Sequence, residues 1–518
     1  MLDVPRHVGL RAAAVLGLAL AGGAPSWPAA AVSVDEAAEA QRGEELDEGE
    51  EDDEEDEEDL RQRLTEREDQ RRPAAPWSAL VAGRPLTVSG EYELELAWVR
   101  RFHLEDVDED ERDPPDRLIL EHGLEVEGFY SFGEPLSLFV QLRVAMEDDL
   151  VHGRFDEVSA SYVERGEMWL HSEDVLGTGV DFEVGRLAFE DERRWWWDGE
   201  LDGVRLAYET ERVDVALALA RELAPERGDR DGIDPEHEDV LRVLGEASWD
   251  WLPNQTLELF LLHQDDRSGG ERPGALVHEE DEDESDARLT WLGARLMGVY
   301  PLRTRGLLGY WADVAWVGGE EEVLELEAVS RRRSVVEGAS RRDVSGWAID
   351  AGAAWILALP YEPRLFAGYA FGSGDSSRDA GRRDHAFRQS GLQANEAGFG
   401  GVERFPHYGV LLDPELSNLE VWTVGVGATV LRSSSVDLVY HHYRLARPSA
   451  SLPDARFEAE LTGRDRDVGH AVDLVLALEE WERVEFELIG SLFRAGRAFG
   501  ARRGAWSAGG FFAVRVAF

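Results

Sequence analysis

The sequence contains no cysteine, no lysine and, beyond its first residues, no long apolar run. Without cysteine the chain has no disulfide framework, no thiolate metal site and no cysteine nucleophile. All 54 basic residues are arginine, the side chain better suited to bidentate binding of carboxylates. No later stretch reaches the ~20 apolar residues that a membrane-spanning helix needs. The net charge of −53 argues against nucleic acid as a partner.

The first residues have the three parts of a secretory signal peptide. Arg6 and Arg11 give a positive start, Ala12–Ala21 is a short apolar run, and Ala29–Ala31 offers a small-residue cleavage site. The apolar run is too short for a transmembrane anchor. We therefore predict a signal peptide over residues 1–31, which carries the chain across the inner membrane.

Residues 32–83 form an acidic low-complexity segment and linker. Residues 35–59 hold 17 acidic side chains and one arginine. Such a block repels itself and stays solvated. We favour a disordered spacer, and the alternative is a tail that collects cations.

From Arg84 the pattern changes to apolar and polar residues in strict alternation. Such a period of two is typical of a strand with one apolar and one wet face. The apolar positions of four such segments are Leu86, Val88, Tyr92, Leu94, Leu96 and Trp98; Leu118, Leu120, Leu124 and Val126; Leu136, Leu138, Val140, Leu142 and Val144; and Val484, Phe486 and Leu488. Charged, turn-rich segments separate the strands, as in a barrel with short turns at one end and longer loops at the other.

The charged residues on the polar strand faces distinguish a wide barrel from a soluble β-fold. A soluble β-sandwich or propeller would have to bury them in a dry core, which is costly, whereas inside a wide barrel they face water. About 435 residues at roughly 24 per strand and connection give on the order of 18 strands, enough to leave a lumen. The last strand carries Phe512, Val514, Val516 and Phe518 on one face, typical of outer-membrane assembly signals. We predict an all-β fold: one transmembrane antiparallel β-barrel over residues 84–518, in the lipid of a bacterial outer membrane.

The sequence offers no catalytic set, so we expect no enzyme, no cofactor and no metal site. The fingerprints of serine hydrolases, zinc proteases, P-loops and dinucleotide sites are absent. His441 and His442 are adjacent in a strand, so they point to opposite faces and form no chelating pair. The acidic run 278–286 could bind calcium through oxygen ligands, but a solvated loop is the better interpretation.

The wet faces carry both signs of charge. With the apolar faces outward, four arginines point inward: Arg143, Arg205, Arg242 and Arg515. The same rule turns eight carboxylates inward: Glu91, Glu93, Glu121, Glu125, Glu246, Asp250, Glu485 and Glu487.

Four motifs in order resemble the alginate-export family of outer-membrane porins. The first is a Gly-Arg strand followed by an acidic and Trp-Asp segment, with Gly185, Arg186, Asp191, Trp197 and Asp198. The second is the run Phe387–Gln393, which includes Gln389, Gly391, Leu392 and Gln393. Leu416–Leu419 and Val439–His441 complete the set. With the terminal strand, the resemblance covers most of residues 84–518.

The resemblance implies an 18-stranded monomeric barrel that passively exports an anionic polysaccharide through an Arg-rich constriction gated by loops. For such a channel we also expect periplasmic export partners. Inward guanidinium groups can bind the carboxylates of a uronate polymer one after another, and the polymer moves if no single site binds it too tightly. Eight arginines are the substrate-path candidates: Arg143, Arg186, Arg194, Arg205, Arg242, Arg388, Arg404 and Arg444. For each, the alternative is an ion pair with one of the many carboxylates.

The mixed inner charge leaves other substrates and functions open. A neutral glycan, a different acidic polymer or a small solute would fit the same barrel. Three alternative functions remain: a general or cation-preferring solute porin, a barrel-borne surface hydrolase, and a structural surface barrel with a plugged lumen.

Overall fold

The structure, a computed structural model, describes residues 77–518 apart from 101–116, 134, 151–158, 231, 236, 269–271, 279–284, 331–332, 376–382, 453–454 and 457–460. The predicted signal peptide and residues 32–76 of the predicted acidic segment and linker lie outside the described residues, as does most of the acidic run 278–286. Within the described part of the chain, no helix is long and apolar enough to cross a membrane.

Most of the described residues are in strands, because apolar and polar side chains alternate along the barrel segments. The strands are β1 (Trp77–Val81), β2 (Arg84–Arg100), β3 (Arg117–Gly133), β4 (Leu136–Asp149), β5 (Ser159–Ser172), β6 (Val180–Glu190), β7 (Asp198–Glu209), β8 (Val213–Arg221), β9 (Leu241–Leu252), β10 (Gln255–Asp265), β11 (Leu276–His278), β12 (Ser285–Pro301), β13 (Leu307–Ser330), β14 (Arg333–Ile356), β15 (Arg364–Gly372), β16 (Arg383–Asp384), β17 (Glu396–Ala397), β18 (Phe405–Pro406), β19 (Leu419–Thr429), β20 (Ser434–Leu445), β21 (Asp467–Trp481), β22 (Val484–Ala495) and β23 (Trp506–Ala517). Among the described residues, three short 3-10 helices lie at Val175–Gly177, Arg303–Arg305 and Arg497–Arg502.

Eighteen of these strands close into one antiparallel barrel, which confirms the predicted fold. The barrel strands are β2–β10, β12–β15 and β19–β23, each paired with its neighbours. The first and last close the ring, with Glu91 opposite Ala517 and Arg100 opposite Ala508. β1 folds back along the start of β2, on the edge that β23 leaves uncovered.

The two ends of the barrel differ in the length of their connections. At one end, the turn end, strands are joined by connections as short as 253–254 and 482–483. At the other, the loop end, most connections are longer, and the segment 373–418 is a prominent example. In outer-membrane barrels the short turns are periplasmic and the long loops external.

The period of two decides which side chains meet lipid. In β22, Leu488 and Leu492 are about half exposed on the outside, whereas Glu487, Ser491 and Phe493 are buried on the inside. The same division holds for β2 and β23, where Glu93 and Arg515 pair within the barrel. The lumen is therefore built from the polar face of each strand.

Candidate functional site: the luminal constriction

A short connection inside the barrel, residues 191–197, is called here the Trp segment. Asp191 organises its backbone: Oδ2 accepts hydrogen bonds from the amides of Trp196 (2.7 Å) and Trp197 (3.1 Å). Oδ1 accepts one from the amide of Arg193 at 3.2 Å. A carboxylate that accepts several amide hydrogens fixes a tight turn in the way a helix cap does. The Trp-Asp motif thus encodes a rigid turn.

The three tryptophans of this segment are buried. Trp196 stacks on Phe260 of β10 with ring centroids 4.9 Å apart, and Trp195 stacks on Phe387 at 6.3 Å. Large aromatic side chains bury much apolar area and hold specific geometries. The Trp segment is therefore packed against the inner wall on one side and against the segment containing Phe387 on the other.

The connection 373–418 is called here the long loop, and its described residues, 373–375 and 383–418, contact several strands of the inner wall. Phe399 stacks on Phe366 of β15 at 4.4 Å. The amide of Val402 donates to Ser435 Oγ of β20 at 3.0 Å, and Tyr443 Oη, also of β20, donates to the carbonyl of Tyr408 at 2.7 Å. Together with the ion pair between Arg404 and Glu190 at the end of β6, these contacts hold the loop inside the barrel, where it narrows the lumen.

Four inward charged residues form one row across neighbouring strands. Glu258, Arg295, Asp313 and Asp350 are successive register partners on β10, β12, β13 and β14. Arg295 is fully buried; its Nε bonds Asp313 at 2.7 Å and its Nη1 lies 2.5 Å from Asp191 Oδ1. One guanidinium therefore ties the wall to the Trp segment.

Asp350 is the meeting point of the Trp segment and the long loop. Its Oδ2 accepts a hydrogen bond from Tyr408 Oη at 2.7 Å and lies 3.5 Å from His407 Nε2 and 3.7 Å from an Arg193 nitrogen. Burial lowers the pKa of His407 to about 4, and Arg193 adds to this shift, although Asp350 opposes it. Trp195 Nε1 donates to Tyr408 Oη at 2.7 Å, so both segments are fixed to one carboxylate.

The family-motif residues build the junction between these two segments. Gln389 Oε1 accepts from the amide of Leu416 at 2.7 Å, and its Nε2 donates to Asn395 at 2.9 Å. Leu392 is buried, and its carbonyl accepts from the amide of Asp198. Gln393 Oε1 accepts from the amide of Gly391, which has a positive φ of 74°. These motif residues hold the constriction together.

Gly185 is required by close packing. Its φ is 139°, and a Cβ at this position would collide with the carbonyl oxygen of Met168 on the neighbouring strand. Residues other than glycine rarely adopt a backbone conformation with such a positive φ. The glycine of the first motif therefore preserves the β5–β6 pairing just before the Trp segment.

The structure pairs seven of the eight candidate arginines with carboxylates. The pairs are Arg143 with Glu93, Glu121 and Glu164; Arg186 with Glu226; Arg194 with Glu190 and Glu396; Arg205 with Glu183; Arg388 with Glu321 and Asp384; Arg404 with Glu190; and Arg444 with Glu420. The eighth, Arg242, is buried with Nη2 3.2 Å from His237 Nδ1.

The candidate arginines are not gathered in one ring. Arg194 of the Trp segment and Arg404 of the long loop meet at Glu190. Arg143 belongs to a separate inner network at β2–β5. Arg444 alternates with the buried Tyr443, so it lies on the outward face of β20 and away from the lumen.

A luminal cavity of 310 Å³ lies beside the constriction. Arg205 and Arg404 are its two arginines. Its carboxylates are Asp181, Glu183, Glu190, Asp191, Glu192, Glu209, Asp214, Glu246 and Glu258. Burial, with the neighbouring Glu258, raises the pKa of Glu192 to about 8, so this carboxyl is mostly protonated at neutral pH. The cavity is nevertheless strongly acidic.

Sequence reasoning missed the residues that carry the constriction. Arg295, Asp313 and Asp350 all sit on inward positions that the period of two marks, but their meeting depends on strand register, which no single strand shows. His407 and Tyr408 lie in the long loop, where no periodic signal exists.

These features define a class: an outer-membrane β-barrel narrowed by its own inward-folded segments. The family model for alginate export matches residues 98–511. The chain belongs to this alginate export family and resides in the bacterial outer membrane.

Two relatives and one solved structure illustrate the similarity. The alginate production protein AlgE of Pseudomonas aeruginosa is 29% identical over 335 residues, which are 64% of this chain and 66% of that protein. AlgE of Pseudomonas syringae pv. tomato is 23% identical, over 62% of this chain and 65% of that protein. The chain thus matches just under two thirds of each relative's length. The crystal structure of Pseudomonas aeruginosa OccK5 (OpdH) covers 83% of this chain and 98% of its own, with a TM-score of 0.50 and 9% identity, a likeness of fold alone.

Proposed function

We propose that this protein is a passive outer-membrane channel that exports a polysaccharide, and that it performs no catalysis. The observation that carries the proposal is a closed barrel whose lumen keeps a 310 Å³ cavity beside a constriction made by its own long loop. Family membership supports the export direction. We further infer that the barrel works as a monomer and receives polymer from periplasmic partners.

The proposed substrate is an anionic polysaccharide, and its path runs past Arg205 and Arg404. The family description and the names of the relatives refer to alginate. Arg404 Nη1 lies 3.3 Å from Glu190, and its side chain is about one quarter exposed. A substrate carboxylate would displace this partner for a moment and then release the guanidinium, because charge-assisted pairs of this kind exchange when neither is fully buried.

A cation-preferring solute channel is the second candidate, and the acidic cavity favours it. Even with Glu192 mostly protonated, the remaining carboxylates outnumber the two arginines, and the resulting negative potential concentrates cations and repels anions. The two candidates differ in the sign of the charge that passes more readily.

Efflux from liposomes distinguishes these candidates. The full chain is reconstituted into vesicles loaded with uronic-acid, neutral or amino-sugar oligomers of equal length. We expect the uronate oligomer to leave fastest, and Arg404→Gln to slow it more than Arg341→Gln, whose ion pair with Glu320 is exposed. Faster efflux of the amino-sugar oligomer would overturn the anionic substrate, and no efflux of any oligomer would overturn the channel.

A further inference from the structure

The outer face of the barrel carries two histidines and an aspartate whose ligand atoms converge. His442 of β20 and His470 of β21 are direct cross-strand partners. Their rings are stacked, with centroids 4.6 Å apart and planes 17° from parallel. Together with Asp467, each offers one ligand atom, and these three atoms all lie within 4.8 Å of one another.

The cluster faces outward at the loop end of the barrel. His441, next to His442, is buried inside, where its Nδ1 meets Thr423 Oγ1 at 2.9 Å. The alternation therefore turns His442 outward, as the sequence predicted for this pair. The histidine whose ring lies beside that of His442 is therefore its cross-strand partner His470, not its sequence neighbour His441.

The cross-strand row that contains His442 and His470 lies at the edge of the apolar outer surface of the barrel. The row runs through five neighbouring strands as Trp422, His442, His470, Arg494 and Trp506. The next row towards the turn end is Val424, Tyr440, Val472, Leu492 and Ala508. A row of tryptophan and charged groups above an apolar row is typical of the membrane–water interface. Ions in the external solution therefore reach the histidines.

Neighbouring side chains orient two of these three groups, His470 and Asp467. Tyr440 Oη is hydrogen bonded to His470 Nδ1 at 2.6 Å, which leaves Nε2 of that ring for an ion. Arg497 Nε lies 3.3 Å from Asp467 Oδ2, whereas Oδ1 lies 4.0 Å from His442 Nε2. A second partner that orients a ligating ring or carboxylate is a regular feature of metal sites.

We propose that His442, His470 and Asp467 bind a divalent transition-metal ion of the zinc class on the outer rim of the barrel. Two imidazoles and one carboxylate with an open fourth position suit Zn²⁺, whereas Ca²⁺ and Mg²⁺ prefer oxygen ligands alone. Ligands at roughly 2.0–2.1 Å from Zn²⁺ stand roughly 3.4 Å apart, so small rotations of these partly exposed side chains complete the site. The ion would fasten β20 to β21 at the rim.

Calorimetric titration of the full chain in detergent, purified without a polyhistidine tag, tests this site. The titrant is Zn²⁺ alone, with excess Mg²⁺ present to occupy the acidic residues 35–59. We expect one saturable Zn²⁺ site per chain, lost in His442→Ala and in His470→Ala. Tyr440→Phe, which removes only the supporting hydroxyl, should weaken binding about tenfold. His263→Ala is the matched control, since His263 contacts Thr290 on another part of the barrel.

Co²⁺ provides an independent readout of the ligands. Bound in place of Zn²⁺, it should give visible absorption bands typical of nitrogen and oxygen ligation in the unaltered chain and in His263→Ala, and none in His470→Ala. Absence of a saturable site in the unaltered chain would overturn the proposal. So would Zn²⁺ binding by the His442→Ala and His470→Ala variants that is as tight as binding by the unaltered chain. Neither outcome depends on whether the barrel transports a polysaccharide.

Discussion

Arg295 is the residue at which the barrel wall and the Trp segment are joined. It is fully buried and interacts with Asp191, Asp313 and Glu258. A buried guanidinium among three carboxylates is expensive to remove, because its partners then remain charged and unpaired. The stability of the constriction therefore depends on this one side chain.

Replacing Arg295 with methionine should destabilise the folded chain by about 3–5 kcal/mol. The measurement is urea unfolding in lipid vesicles, followed by tryptophan fluorescence. Arg341→Met, at an exposed ion pair with Glu320, should change stability little. Equal effects of the two substitutions would contradict a structural role for Arg295.

His407 makes the docking of the long loop dependent on pH. Its pKa falls from 6.5 to about 4 because it is buried in the neutral form. Above pH 6.5 the His407 ring is neutral whether the loop is docked or released. The free energy that favours the docked loop is therefore at its full value above this pH. As the pH falls towards 4, the released loop binds the proton first, and docking loses up to about 3 kcal/mol.

The test compares the unaltered chain with His407→Gln at pH 7 and pH 4.5. The unfolding free energy of the unaltered chain should fall relative to that of the variant as the pH is lowered. A difference between the two proteins that stays constant over this range would show that His407 does not titrate with docking.

At the scale of elements, the barrel strands were predictable and the luminal segments were not. The alternation in residues 84–98 and 484–488 gives β2 and β22, and the inward rule correctly turns Glu93 and Arg515 towards the lumen. It could not show that Phe399 and Tyr408 return into the barrel, because loop packing depends on side chains from several distant strands. The sequence motifs marked the junction between the Trp segment and the long loop, but they did not show that its residues hold these two segments together.

A crosslink tests whether the long loop must move for transport. Because the chain has no cysteine, Val402→Cys with Ser435→Cys would form a single disulfide between the loop and β20, where the amide of Val402 meets Ser435 Oγ at 3.0 Å. Oxidation should lower oligosaccharide efflux, and reduction should restore it. Each single-cysteine variant serves as a control and should be insensitive to reductant. Full efflux from the oxidised pair would mean that the loop need not leave this contact.

At the scale of the whole molecule, two facts favour substrates of opposite charge. The family assignment points to an anionic polymer, whereas the chain carries a net charge of −53 and an acidic cavity. Selectivity is set by the charge at the narrowest point and by how readily each contact releases, so the acidic wall and an arginine path can coexist. The pairing of Arg205 and Arg404 with carboxylates would then keep any single contact with the polymer weak.

Planar-bilayer conductance of the purified full chain tests the central claim most directly. The account predicts open channels whose current is reduced by uronic-acid oligomers, and reduced less when Arg404→Gln is present. A cation-selective current that uronic-acid oligomers leave unchanged would contradict export of an anionic polysaccharide, and the lack of any channel current would contradict a transport function for this barrel.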